Sequence, residues 1–264
     1  MSDLINKRGA YIFPSLLTTG GMFFGFYAIM AALGKNYEHS AQAIVAAGVF
    51  DGLDGRVARA MNATSAFGKE YDSLADFLSF GIAPAVLIYL WALEPFYRVG
   101  WAAAFLYAVC GALRLARFNV QQHVIQDERV SKRYFQGLPI PAAAIIVAAL
   151  VLFYQDLGIR TEEGIPIGLW RWLPLALTFV LGILMVSTIR FRSMKDFHWH
   201  RKRPFLTLVG VVVFIAVLTI HMASTLFIMS WAYLVSALHS HREYLQLLAE
   251  GKEVEEDEVE DLTV

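Results

Sequence analysis

Four aspartates lie close together in a part of the chain that is otherwise apolar. Asp51 and Asp54 interrupt one hydrophobic stretch, and Asp72 and Asp76 interrupt the next. An Asp at the centre of a membrane helix costs about 2.5–3.5 kcal/mol on the mildest insertion scale, so several of them need a compensating partner. Carboxylate oxygens with no His or Cys nearby suit hard cations such as Mg²⁺, Mn²⁺ or Ca²⁺ rather than zinc. The four aspartates therefore predict a site for a divalent cation or a charged substrate.

The spacing of these residues predicts two facing helical stripes. In a helix, the first group falls within about 140° of one face; its members are Asp51, Asp54, Gly55, Ala58 and Arg59. Gly68, Asp72 and Asp76 form a second stripe, which drifts by only about 80° over eight residues. Because the connection near residues 64–67 is short, the two helices should be antiparallel neighbours. All four carboxylates should then converge near one end of the helix pair.

A purely structural interpretation is a set of buried ion pairs between the aspartates and Arg56 and Arg59. Four carboxylates against two guanidinium groups leave two negative charges without a partner. Since uncompensated charge is costly in a membrane, this imbalance favours a binding site over structural ion pairs.

The elements that must position these residues are membrane helices. Hydrophobic residues make up 57% of the 264-residue chain and charged residues 17%, whereas soluble domains carry about 25% charged residues. The sequence predicts an all-α, polytopic integral membrane bundle of about eight transmembrane helices. The eight apolar segments are residues 11–33, 41–63, 70–93, 100–119, 138–154, 172–189, 205–220 and 225–238. The last two are short, so seven spans or a re-entrant final pair remain open.

The basic residues are distributed unevenly about these segments. With the N-terminus inside, fourteen Lys and Arg residues lie on the cytoplasmic side and only Lys35, Arg98, Arg160 and Arg171 on the opposite side. This bias predicts a cytoplasmic N-terminus and places the aspartates near the cytoplasmic face. Residues 1–248 form one predicted membrane domain, and the acidic segment 249–264 is predicted to be a disordered cytoplasmic tail. Cys110 is the only cysteine, which excludes an internal disulfide and a multi-cysteine metal site.

The aspartates belong to a longer pattern. It reads Asp51-x-x-Asp54-Gly55-x-x-Ala58-Arg59 and, after eight residues, Gly68-x-x-x-Asp72-x-x-x-Asp76. This pattern resembles the signature of the CDP-alcohol phosphatidyltransferases at every fixed position. Similarity continues through residues 77–84, 112–119 and 135–141, where the chain looks like the membrane-bound phosphatidylserine synthases of bacteria and archaea.

The resemblance implies an enzyme of phospholipid biosynthesis. It would transfer the phosphatidyl group of CDP-diacylglycerol to the hydroxyl of L-serine, giving phosphatidylserine and CMP by direct in-line attack. It implies two divalent ions, Mg²⁺ or Mn²⁺ with Ca²⁺ as a further alternative, held by Asp51, Asp54, Asp72 and Asp76, with Asp76 as the general base. It also implies CDP-diacylglycerol contacts from Asp54, Gly55, Ala58, Arg59, Ser65 and Gly68. A homodimer in the cytoplasmic membrane, with its active site facing the cytoplasm and no nucleic-acid partner, is the expected setting.

Serine recognition is predicted from two arginines. The carboxylate of serine needs a fixed cationic partner, and the planar guanidinium can donate two parallel hydrogen bonds to it. Arg114 and Arg117 lie at the inner end of the fourth apolar segment and, spaced by three, share a helix face. We expect at least one of them to bind serine, with help from Asn119 or Gln136. The alternative is that both arginines only extend toward the membrane surface as topology anchors.

Two other functions remain open at the level of the sequence. A phosphatidylglycerophosphate or phosphatidylinositol-phosphate synthase would share every aspartate, although its phosphorylated acceptor would require a dedicated cationic cluster. A cation transporter could also use intramembrane aspartates, but Arg59 and the cytoplasmic placement of the motif favour the enzyme.

Overall fold

The computed structural model describes residues 12–61, 65–124, 134–159, 168–192 and 220–249. Within these residues the regular secondary structure is helical apart from two three-residue strands, β1 (Tyr134–Gln136) and β2 (Arg190–Arg192). The α-helices are α1 (Ile12–Leu33), α2 (Tyr37–Ala60), α3 (Ala66–Asp76), α4 (Ala83–Ile88), α5 (Tyr97–Val124), α6 (Ile140–Asp156), α7 (Trp172–Val186) and α8 (Met222–Ala249). Short π-helical turns at Phe77–Ile82 and Tyr89–Leu93 join α3 to α4 and continue beyond it, so residues 66–93 form one long helical stretch.

Helices α1 and α2 form a tight antiparallel hairpin, which is the most extensive helix pair in the described fold. Small buried residues, including Ala28 and Ala32 on α1 and Ala41 and Ala47 on α2, allow the two backbones to approach closely. The hydroxyl of buried Ser40 donates a 2.7 Å hydrogen bond to the Ala28 carbonyl. The pairing fixes the position of the second half of α2, which contains Asp51 and Asp54.

The helix that contains Asp72 and Asp76 changes its winding directly after Asp76. Residues Phe77–Ile82 are π-helical, and such turns are frequent at functional sites. Pro84 has no N–H to offer the carbonyl of Phe80, four residues earlier, and the buried Tyr107 hydroxyl donates to that carbonyl at 3.2 Å. A side chain of α5 therefore satisfies a backbone group that the altered winding leaves available.

The most deeply buried helix is α6, which contacts α2, α7 and α8. It is preceded by Gly137, whose φ of +77° is strained for residues with a side chain. A Cβ at this position would also overlap the Met185 carbonyl oxygen. The backbone N–H groups of Gly137 and Leu138 donate to Ile189 and Leu184 at 2.9 and 3.0 Å. Together with the pairing of β1 and β2, these bonds join the start of α6 to the end of α7.

The helices correspond to most of the predicted apolar segments. Three stretches have the length and hydropathy of membrane spans, namely Phe13–Leu33, Ala66–Val120 and Gly168–Val186. The second is 55 residues long and turns at Glu94–Phe96, and Ile140–Asp156 and Met222–Ser236 are shorter apolar helices. The final helix is 28 residues long and extends well beyond the predicted segment 225–238. Residues 205–219 of the predicted seventh span and residues 250–264 of the predicted tail lie outside the described residues, so the eight-span count stays a prediction.

We predict that Gly25→Ala destabilises the protein. A Cβ on Gly25 would lie 2.7 Å from Cα and 2.8 Å from Cβ of Ser79, in the π-helical turn after Asp76, so α1 would have to move away. Overpacking of this kind costs about 1–3 kcal/mol. Thermal unfolding of the purified protein would measure the loss. Gly52→Ala is the matched control, since a Cβ there meets nothing within 4 Å; equal melting temperatures for the two variants would contradict the prediction.

Candidate active site

Three of the four aspartates converge between two helices. Asp51 on α2 and Asp72 and Asp76 on α3 each place a carboxylate oxygen within 4.8 Å of the others. All three side chains are partly buried. Three carboxylates at this separation repel one another unless a cation or protons compensate their charge. The facing stripes predicted from the helical spacing are therefore present in the fold.

Asp54 lies at the edge of the same cluster and makes a contact of its own. It is 5% exposed, and its Oδ2 accepts a 2.9 Å hydrogen bond from the hydroxyl of Thr18 on α1. A very small cavity, of about 10 Å³, is lined by all four aspartates together with Thr18, Gly21, Ala47, Ala75, Ser79 and Phe80. The cluster thus lies at the junction of three helical elements.

A larger cleft of about 160 Å³ opens beside the aspartates. All six residues expected to contact CDP-diacylglycerol line it, and Pro14, Ser15, Thr18, Lys69 and Asp72 complete its wall. Both stripes contribute, since Asp54, Gly55, Ala58 and Arg59 come from α2 and Ser65 and Gly68 from the start of α3. The cleft therefore joins the carboxylates to a region with two cationic side chains, Arg59 and Lys69.

Local geometry explains the small residues of this cleft. A Cβ on Gly55 would lie 3.8 Å from an Arg59 guanidinium nitrogen, which is an ordinary contact. Packing within the chain thus does not require glycine at position 55, and the absent side chain leaves room for a ligand. Ser65 is the N-cap of α3, and its hydroxyl accepts a 3.0 Å hydrogen bond from the Gly68 N–H. The cleft is consequently bordered by a helix N-terminus, where negative charge is stabilised.

Arg114 on α5 lies near the acidic cluster. Its guanidinium is within electrostatic range of the Asp76 carboxylate and of the Tyr233 side chain on α8, and it lies 6.0 Å from the centroid of the Phe118 ring. Among the residues that the structure describes, its Nε is the one buried side-chain nitrogen or oxygen without a hydrogen-bond partner. A buried donor left in this state costs about 1–3 kcal/mol. A ligand with an accepting group would remove that cost.

The other residues predicted to bind serine have different surroundings. Arg117 donates a 3.0 Å hydrogen bond to the Val186 carbonyl at the end of α7. The Asn119 amide donates to the Ser73 hydroxyl at 3.1 Å, which ties α5 to α3 next to Asp72. Gln136 lies in β1 opposite Arg190. Although Arg114 and Arg117 are only three residues apart, the structure therefore brings Arg114 toward Asp76 and uses Arg117 to hold the end of another helix.

Three contributors to the site were not predicted. Thr18 bonds to Asp54, Lys69 lines the cleft, and Tyr233 lies within electrostatic range of Arg114. In the sequence, Thr18 is one of two adjacent threonines in an apolar segment and Lys69 is counted only as a topology signal. Tyr233 lies about 120 residues from Arg114, and nothing in its local sequence marks it.

The helical bundle, the convergent carboxylates and the adjoining cleft agree with one family of membrane enzymes. The family model for CDP-alcohol phosphatidyltransferases matches residues 11–184. The chain belongs to this family, and it is an integral membrane protein with the apolar helices described above.

Relatives within the family include several bacterial enzymes. The chain is 37% identical over 228 residues to the CDP-diacylglycerol–serine O-phosphatidyltransferase of Helicobacter pylori, covering 85% of this chain and 89% of that protein. It is 36% identical over 183 residues to the enzyme of the same name from Bacillus subtilis, with 69% and 90% covered. The Mycobacterium bovis enzyme of that name is 38% identical over 190 residues, which cover 71% of this chain and 64% of the relative.

Proposed function

We propose that this protein transfers the phosphatidyl group of CDP-diacylglycerol to the hydroxyl of L-serine, producing phosphatidylserine and CMP. The observation that supports it most strongly is the acidic cluster of Asp51, Asp72 and Asp76 beside the cleft formed by the family motif. The choice of serine rests on the relatives, which are CDP-diacylglycerol–serine O-phosphatidyltransferases at 36–38% identity. Membership of the family argues against the cation-transporter alternative.

The donor set of the cluster fits divalent cations. Its groups are carboxylates alone, as hard cations such as Mg²⁺ and Mn²⁺ prefer, and four carboxylates match the charge of two such ions. Asp51, Asp54, Asp72 and Asp76 are the proposed ligands. Bound divalent ions would neutralise the pyrophosphate charge and stabilise the departing CMP.

The chain's own residues account for binding of the nucleotide lipid. Arg59 and Lys69 offer positive charge to the pyrophosphate, and the N-terminus of α3, capped by Ser65, offers oriented N–H groups nearby. Gly55 leaves space for the ligand on the surface of α2, whereas a Cβ on Gly68 would lie only 3.1 Å from the Ser65 hydroxyl oxygen. Thr18 holds Asp54 in place through its hydrogen bond.

Asp76 is the proposed general base. The serine hydroxyl has a pKa far above 7, so it must lose its proton as its oxygen attacks phosphorus. The Asp76 carboxylate would accept that proton while the new oxygen–phosphorus bond forms and the bond to the CMP oxygen breaks. Arg114, next to Asp76, would bind the serine carboxylate and so hold the hydroxyl near the base.

The charge distribution and the family support the proposed cellular setting. The excess of basic residues on one side favours a cytoplasmic N-terminus and an active site that faces the cytoplasm, in the inner membrane of a bacterium or archaeon. An eight-span homodimer is the proposed assembly.

The test is CMP release by the purified protein in lipid nanodiscs supplied with CDP-diacylglycerol and Mg²⁺ or Mn²⁺. We expect CMP to appear with L-serine and to require the metal, because the carboxylates alone cannot neutralise the pyrophosphate. Parallel reactions should contain glycerol 3-phosphate or inositol phosphate in place of serine. Release with a phosphorylated acceptor but not with serine would assign the protein to another branch of the family. Metal-independent release would contradict the role of the aspartates.

A further inference from the structure

The last described helix reaches the acceptor side of the site. Helix α8 packs against α6 and β2, and its inward face includes Leu226, Ser230 and Tyr233, spaced by four and three residues. Tyr233 is partly buried and packs against the hydrophobic core. A residue from the C-terminal part of the chain, beyond the family motif, is therefore packed into the core within range of Arg114.

Three side chains from three helical elements lie near one another. The Arg114 guanidinium is within electrostatic range of the Asp76 carboxylate of α3 and of the Tyr233 hydroxyl of α8. The Nε of Arg114 is buried and has no hydrogen-bond partner. The guanidinium is thus held near the proposed base with part of its donor capacity unused.

The chemistry of a tyrosine suits it to orient an arginine that must bind a carboxylate. Its hydroxyl oxygen can accept a hydrogen bond from the guanidinium, and its O–H can donate to a carboxylate oxygen. It adds no charge, so it would not compete with the acceptor for Arg114 as an aspartate would. Phenylalanine keeps the shape of the ring and removes only these two capacities.

We propose that Tyr233 is a positioning residue of the acceptor site, which fixes the Arg114 guanidinium in the orientation that receives the carboxylate of an amino-acid acceptor beside Asp76. This inference rests on the acceptor role proposed for Arg114. It assigns a function to α8, which lies outside the part of the chain that contains the catalytic motif.

Steady-state kinetics of purified Tyr233→Phe would test the proposal. We expect the KM for serine to rise about three- to ten-fold, as the loss of one neutral hydrogen bond predicts. The KM for CDP-diacylglycerol should change by less than about two-fold, because the cleft lies on the other helices. Tyr154→Phe is the matched control, since it removes a hydroxyl that donates to the Trp170 carbonyl away from the aspartates. If Tyr233→Phe does not fold, Tyr233→His, which keeps a ring and a polar group, should show a smaller rise in the serine KM.

A double-mutant cycle with Arg114→Lys separates positioning from a general packing effect. If Tyr233 acts through Arg114, its replacement should add little to the serine KM once Arg114 has been replaced. Additive effects, or an unchanged serine KM in the Tyr233 variant when Arg114→Gln raises it, would overturn the proposal and leave the proposed function intact. An unchanged serine KM in Arg114→Gln would instead remove the acceptor role of Arg114, and the inference about Tyr233 would fail with it.

Discussion

Replacement of Asp76 by Asn is expected to lower the turnover number by about 10²–10⁴-fold, the usual effect of losing a general base. Asparagine has nearly the same shape as aspartate but cannot accept the proton of the serine hydroxyl. Asp51 and Asp72 of the 4.8 Å cluster remain, so binding of CDP-diacylglycerol should be largely retained. The turnover number should be measured at saturating metal, because Asp76 belongs to the cluster and its loss also weakens metal binding.

Two further sets of variants separate the loss of a general base from the loss of a metal ligand or of any carboxylate. Asp51→Asn and Asp72→Asn should raise the metal concentration needed for activity and weaken binding of the nucleotide lipid together. Asp156→Asn, at the C-terminal end of α6, is the control for loss of a carboxylate outside the cluster. Near-normal turnover in Asp76→Asn at saturating metal would show that another group accepts the proton.

Arg114→Gln is expected to raise the KM for serine by about ten- to a hundred-fold, since a charge-assisted hydrogen-bonded pair contributes about 1.5–3 kcal/mol. Among the described residues, the Arg114 guanidinium is the cationic group within electrostatic range of Asp76. Its buried Nε has no hydrogen-bond partner among these residues. The KM for CDP-diacylglycerol should change little, because Arg114 does not line the cleft. Arg114→Lys should give an intermediate effect, since it keeps the charge and loses the planar fork.

Arg117 provides the comparison on the same helix. Its guanidinium is bonded to the Val186 carbonyl at the end of α7, so Arg117→Gln should lower thermal stability more than it changes the serine KM. A large rise of the serine KM in Arg117→Gln, with none in Arg114→Gln, would exchange the roles assigned to the two residues. Unchanged serine dependence in both variants would remove these arginines from the acceptor site.

The acidic cluster was predictable because it depends on short-range geometry. Residues three and four apart on a helix share a face, so the positions of Asp72 and Asp76 relative to each other follow from their spacing. The short connection between α2 and α3 predicted that Asp51 would lie at the same end, and in the structure both helices pack against α1 and place Asp51 within 4.8 Å of Asp72 and Asp76. The hydropathy of the chain predicted the helical fold in the same way, since in lipid the backbone groups of an isolated segment are satisfied within a helix.

The acceptor side was less accessible from sequence. Arg114 and Arg117 have the same chemistry and nearly the same position on α5. Only the placement of the neighbouring helices brings Arg114 near Asp76 of α3 and Arg117 to the Val186 carbonyl at the end of α7. The side chain of Asn119, which was predicted to help bind serine, donates a hydrogen bond to the Ser73 hydroxyl instead. These differences arise from the rotation of one packed helix relative to its neighbours, which no local pattern specifies.

The sequence alone thus determined a membrane-helical enzyme with two facing stripes of aspartates, because local periodicity and the cost of charge in lipid decide both. Tertiary structure decided which cations and hydroxyl groups meet those aspartates. Thr18 reaches Asp54 because small residues let α1 pack closely on α2. Tyr233 comes within range of Arg114 because α8 packs against α6 and β2. Contacts between segments so distant in sequence depend on how complete helices pack, and that is a property of the whole bundle.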